Sequence, residues 1–204
     1  FYKGRKRDTP DALAPSPDKK KGLSSVTGKI EFVSRSLEKH FPKDKERPPM
    51  ARYIPSWEGY DSALAKKYPL QLIAPHPRYS YHTHYDAHSE WLADIPGHRI
   101  RKNGNNWIVI RVHPQQAEER GIQNADIIKV FNDRGTVLGI AHVTERVRPG
   151  VIHCYTSSGK YDPLEPGKAY SPDRGGCINL LTPVRMMSKN APGMACNSCL
   201  VEIA

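Results

Sequence analysis

The sequence is short of cysteine, short of acid relative to base, and without any apolar run of bilayer-spanning length. Its four cysteines, Cys154, Cys177, Cys196 and Cys199, are too few and too unevenly spaced to staple a fold of 204 residues, so a reducing compartment is the default. The missing apolar run excludes a transmembrane helix, and no signal-peptide core is present. The chain begins at Phe1 rather than Met and is therefore expected to be a piece of something longer. Also missing is a basic stripe interleaved with aromatics, which a single-strand nucleic-acid groove would show. The formal charge of +10 does not replace it, because much of the excess sits in the first fifty residues, where a solvated tail accounts for it. Basic charge equally suits a dinucleotide.

Residues 1–67 are rich in Lys, Arg and Pro, a composition that cannot bury enough apolar area to offset its ordering entropy. They are expected to be a mostly extended linker. One alternating island, residues 27–34, is expected to dock as a strand. Arg52-Tyr-Ile-Pro-Ser-Trp-Glu-Gly59 puts bulky side chains between prolines and reads as a packing clamp.

The texture changes near Tyr68, and residues 68–204 are expected to form one domain. Strands are predicted at 69–74, 107–112, 126–131, 136–143, 151–155 and 199–203, with a short helix opened by Pro114 and ended by Gly121. Asn132-Asp-Arg-Gly135 is read as a hairpin turn in which Asn and Gly tolerate positive φ. Short strands punctuated by Gly and Pro, with few helices, favour a closed barrel over a doubly wound sheet.

Two loops anchored to apolar runs stand out as a binding face: His76-Pro-Arg-Tyr-Ser-Tyr-His-Thr-His84 and Gly175-Gly-Cys-Ile-Asn-Leu-Leu-Thr-Pro183. His82, His84 and His88 would suit zinc, yet no fourth ligand completes the set convincingly, so polar contact is preferred and no metal ligand is expected here. Cys196-Asn-Ser-Cys199 has redox-motif spacing, but a strand follows it where a thioredoxin-like site needs a helix. Two small, partly buried thiols are the preferred reading. Paired glycines at 175 and 176 would let backbone approach a ring or diphosphate, and Asn179 offers donor and acceptor to a base edge; a plain loop pair with a capping Asn explains them as well. No nucleophile with a positioned base is identifiable, so no catalytic residue is expected in this segment.

Taken in order, these segments resemble the C-terminal dinucleotide-binding domain of the molybdopterin oxidoreductases of the dimethyl sulfoxide reductase family. Thr27-Gly-Lys-Ile-Glu-Phe-Val-Ser34 is similar to the family's Ser-Gly-Lys-Ile-Glu-Phe, and the His76 loop to its His-Pro-x-x-Arg-x-His-Ser-Gln. Val130-Phe-Asn-Asp-Arg-Gly135, Arg148-Pro-Gly-Val151 and Asn179-Leu-Leu-Thr-Pro183 follow in the family's order. Ser80 stands where the family often has Arg, and His84 where it often has Gln. The ending, residues 193–203, looks most like the pyrogallol transhydroxylase-like branch, which acts on polyhydroxylated benzenes.

The resemblance implies a mainly β fold, a double-psi β-barrel with a few short helices and an extended N-terminal segment. It implies a module that binds bis-molybdopterin guanine dinucleotide with molybdenum or tungsten, the metal's ligand lying outside this segment. Arg78, His82, Thr83 and His84 would then meet the pterin and diphosphate end, and Gly176 with Asn179 would supply the other loop's contacts. The whole would be an oxidoreductase or transhydroxylase of anaerobic metabolism. Implied partners are the remaining N-terminal domains of the catalytic subunit and an iron-sulfur electron-transfer subunit, with no nucleic acid and no membrane insertion by this chain. The location expected is cytoplasmic, a periplasmic one staying open because any signal would lie upstream. The alternatives are a free-standing cofactor-binding subunit and a basic nucleic-acid-binding barrel.

Overall fold

The computed structural model describes residues 25, 27–80, 89–156, 160–188, 191–194 and 198–204, with the side chains of 187, 188, 191–194 and 198 left aside. The chain divides into two compact units, Phe1–Ile54 and Pro55–Ala204.

In the first unit the only helix among the described residues is α1, Arg35–His40, whose N-terminus is capped by the Ser34 hydroxyl accepting from the Leu37 N–H. Residues 27–34 alternate in sequence but form turns and a single bridge, Val33 to Met50, rather than a strand. The reason is local: Ser34 gives its side chain to the helix cap and its N–H to the Pro49 carbonyl at 2.7 Å, so the segment ends in a cap instead of continuing a ladder.

The second unit is mainly β. Its strands are β1 Leu70–Ile73, β2 Arg99–Lys102, β3 Asn105–Val112, β4 Ile127–Asn132, β5 Gly135–Val143, β6 Val151–His153, β7 Met186–Ser188, β8 Ala191–Met194 and β9 Ser198–Ile203. Helices α2 (Glu90–Ala93) and α3 (Pro114–Glu118) are short, and 3-10 turns span Ala63–Lys66 and Ile178–Leu181. Six strands close on themselves in the order β3, β5, β4, β9, β1, β6 and back to β3, with β2 annexed to β3. The pairs β1–β6 and β3–β5 are parallel and the rest of the barrel is antiparallel, the double-psi arrangement that the family resemblance implies.

Period-two alternation decides what lies inside. On β3, Ile108, Ile110 and Val112 enter the core, as do Leu70 and Leu72 of β1, Val137 and Ala141 of β5, and Val201 and Ile203 of β9. The odd-numbered neighbours Val109 and Arg111 therefore face outward, away from that core. Closure removes the open sheet edges that such a short-stranded domain would otherwise present.

The β2–β3 and β4–β5 hairpins use different turn chemistry. Lys102 pairs with Asn105 across Asn103 and Gly104, both at positive φ (52° and 73°), which is the Asn-Gly turn that right-twisted strands prefer. The predicted turn at 132–135 is present, with Asn132 paired to Gly135, yet among its residues none has positive φ. There the Asn132 Oδ1 accepts the Arg134 N–H at 2.9 Å, and the bend is made by a side chain mimicking backbone.

Candidate functional site

The outward face of β3 becomes the floor of a cleft of about 320 Å³. Val109 and Ile100 give it an apolar base, and the Pro96-Gly97 turn walls one side. Arg78 and Tyr79, delivered by the loop after β1, line it together with Arg111, His142, Arg146 and Tyr155. Three arginines and no carboxylate among these lining residues make the cleft a positive, anion-attracting place. Two tyrosine rings, Tyr79 and Tyr155, add flat apolar surface to the lining.

Strand register explains why these side chains meet. Arg111 of β3 stands opposite His142 of β5 and His153 of β6, so three outward residues from three strands share one row. The Arg111 Nη1 donates to the His153 Nδ1 at 3.0 Å, and its guanidinium lies 5.2 Å from the Tyr155 ring centroid. Arginine has no acceptor to offer, so the Nδ1 of His153 must be unprotonated and the ring proton sits on Nε2. Burial first, and the Arg111 charge second, hold the His153 pKa below its ordinary 6.5. The His153 ring in turn meets Tyr155 edge-on at 5.0 Å. Arg78 lies 5.5 Å over the Tyr79 ring, which abuts His98 edge-on at 6.0 Å.

A second region is built around Asp173, which is fully buried. Its carboxylate accepts three backbone N–H groups, from Asp162 at 2.7 Å, Gly175 at 3.0 Å and Cys177 at 2.6 Å. Such bonds satisfy a buried carboxylate. Next to it, Arg174 grips Asp162 at 2.9 and 3.2 Å, and hydrogen bonds from Arg174 and then Lys160 hold the Asp162 carboxyl below its usual value. The glycine pair is explained by packing against the chain itself: a Cβ on Gly175 would stand 2.1 Å from the Lys160 carbonyl oxygen, and one on Gly176 would stand 2.2 Å from Ile108 Cγ2. Gly176 also has φ +87°, where only glycine is unstrained. The chain then enters the 3-10 turn, which buries Ile178 and Leu181 and leaves Asn179 exposed.

Of the residues singled out from sequence, Arg78 lines the cleft, Gly176 is buried against β3, and Asn179 is exposed; neither of the latter two lines the cleft. His82, Thr83 and His84 lie outside the described residues, as do His88 and Cys196. Sequence reasoning missed Arg111, His142, Arg146 and Tyr155. The available signal was charge inside apolar strands, since Arg111 interrupts Trp107-Ile-Val-Ile-Arg-Val112 and His142 interrupts the end of β5.

Two of the thiols, Cys177 and Cys199, are quiet. Burial pushes Cys199 up to about 12, and burial followed by the Asp173 charge raises Cys177, so neither is a thiolate at neutral pH. The 52–59 segment acts through Glu58 rather than its aromatics: Trp57 is half exposed beneath the Arg185 guanidinium at 4.5 Å, while Glu58 is clasped by Arg134. Among the described residues no three His, Cys, Asp or Glu side chains gather as a metal site, and no helix is long and apolar enough to cross a membrane.

Residues 70–200 match the family model described as the molydopterin dinucleotide binding domain, and the chain belongs to that family. Over its whole length it is 47% identical to the pyrogallol hydroxytransferase large subunit of Pelobacter acidigallici, of which it covers 24%. Over 89% of its length it is 35% identical to the dimethyl sulfoxide reductase DmsA of Escherichia coli, covering 21% of that protein. The solved structure of acetylene hydratase from Pelobacter acetylenicus superposes with a TM-score of 0.63 at 19% identity, covering 93% of this chain and 25% of the other, which shows the shared fold. The chain thus spans about a quarter of the length of the curated relatives it matches.

Proposed function

We propose that this chain is the dinucleotide-binding barrel of a larger molybdenum or tungsten enzyme, an oxidoreductase or transhydroxylase that carries bis-molybdopterin guanine dinucleotide. The observation that carries the reading is the cleft, where three arginines and two tyrosine rings meet without a carboxylate. That donor set suits a ligand with an anionic diphosphate between heteroaromatic ends: guanidinium groups pair phosphate oxygens in a fixed fork, and the rings take the flat portions. Arg78 with His82, Thr83 and His84 would hold the pterin and diphosphate end. The Gly176 backbone and the Asn179 amide would contribute from the second loop. The barrel domain would be residues 68–204 and the linker 1–67.

When bound, the pterin and its metal supply the redox chemistry, and this chain's residues bind and orient. Arg111 would bear a charge that meets phosphate, while His153 keeps its guanidinium in place by accepting one of its N–H groups. Tyr155, against which both pack, limits how far the pair can swing. The partners proposed are the remaining domains of the catalytic subunit and an iron-sulfur subunit, in the cytoplasm. The 47% identity to a pyrogallol hydroxytransferase supports hydroxyl transfer on polyhydroxylated benzenes as the reaction.

The test is pterin and metal content of the full-length enzyme carrying Arg78→Ala or Asn179→Ala, each compared with the native enzyme purified alongside. Both variants are expected to fall, by about tenfold in cofactor affinity for the loss of one charge-assisted contact at Arg78 and less for the neutral Asn179. Native occupancy in both would refute the site.

A further inference from the structure

The hairpin turn between β4 and β5 does more than reverse the chain. Asn132, buried although polar, donates its amide to two carbonyls, Leu181 at 2.9 Å and Leu200 at 3.1 Å. Arg134 sets its two Nη groups on the Glu58 carboxylate at 2.7 and 2.8 Å and its Nε on the same Leu181 carbonyl at 2.7 Å. Glu58 also accepts the Leu200 N–H at 3.3 Å. Turning the chain needs none of these bonds; the Asn132 Oδ1 to Arg134 N–H contact already makes the bend.

What the network does is fix one carbonyl. Leu181 ends the 3-10 turn that exposes Asn179, and both lone pairs of its oxygen are taken by this hairpin's side chains. A guanidinium bound at three points is planar and cannot slide, so the turn's height and tilt are set by a partly buried ion pair. We infer that Arg134, held by Glu58, is a positioning residue for the loop that presents Asn179 to the dinucleotide. The inference rests on the reading that this loop meets the cofactor. Lysine at 134 would keep the charge but could not span Glu58 and the Leu181 carbonyl together.

The experiment uses the full-length enzyme, purified without oxygen, as Arg134→Lys, Asn179→Ala and the double variant. Pterin released over time in sub-denaturing urea is measured per folded chain, with circular dichroism on the same samples. Arg134→Lys is expected to release pterin about tenfold faster than the native enzyme, from the loss of a charge-assisted bond. Because both changes act through one loop, the double variant should release no faster than the faster single. Native release by Arg134→Lys beside faster release by Asn179→Ala would overturn the inference alone, and so would two effects that multiply. Native release by Asn179→Ala would instead remove the loop from the cofactor site, and the inference would fall with that reading. Should Arg134→Lys not accumulate folded, Glu58→Gln, which keeps an acceptor for Leu200 and one for Arg134, carries the same expectations.

Discussion

Arg111 and His153 are two bases by composition but a single charge by geometry. The guanidinium donates to the Nδ1 of His153, and burial together with that charge keeps the imidazole neutral below its ordinary 6.5. The sign of the pH effect follows. Below 6.5 the unfolded chain binds a proton at this residue that the folded chain resists until a lower pH. The stability contributed is fully present above 6.5 and is lost as pH falls from there through the lower folded value. We predict that the full-length protein loses more stability between neutral and mildly acid pH than its His153→Gln variant, in which a carbonyl oxygen still accepts from Arg111. Urea unfolding midpoints at several pH values measure it; parallel curves for the two proteins would contradict the role given to His153.

Elements, unlike single residues, announce their interiors clearly. The alternating Ile108, Ile110 and Val112 of β3 and the apolar runs of β4, β5 and β9 carried the barrel in the sequence itself. β2 was missed although Asn103-Gly104 is a strong hairpin signal, because Arg-Ile-Arg-Lys has no apolar alternation and lies outside the closed barrel. The candidate site was less legible, since it depends on which outward residues neighbouring strands bring into one row. Nothing in sequence spacing tells that Arg111 faces His142 on one side and His153 on the other. The same holds for Asp173, whose three N–H partners come from residues 162, 175 and 177. Asp173→Ala would strand three donors and is predicted to cost about 3 kcal/mol or more. Asp173→Asn, which keeps acceptor capacity, should cost clearly less. Equal losses in thermal unfolding would mean the carboxylate does not organise this loop.

At the scale of the whole molecule, charge is unevenly placed. Residues 1–54 hold seven of the ten net positive charges, and the barrel unit holds three. The barrel's own small excess is concentrated where it matters, since Arg78, Arg111 and Arg146 converge on one cleft while its ion pairs, such as Arg134 with Glu58 and Arg120 with Glu202, are spent on structure. The chain covers about a quarter of the length of the relatives it matches, so it is one part of what a protein of their length contains. The most direct test is the metal and pterin content of the full-length protein purified without oxygen, by elemental analysis and fluorescence of the oxidised pterin. Molybdenum or tungsten with about two pterins per metal is the result predicted. A folded protein containing neither would contradict it.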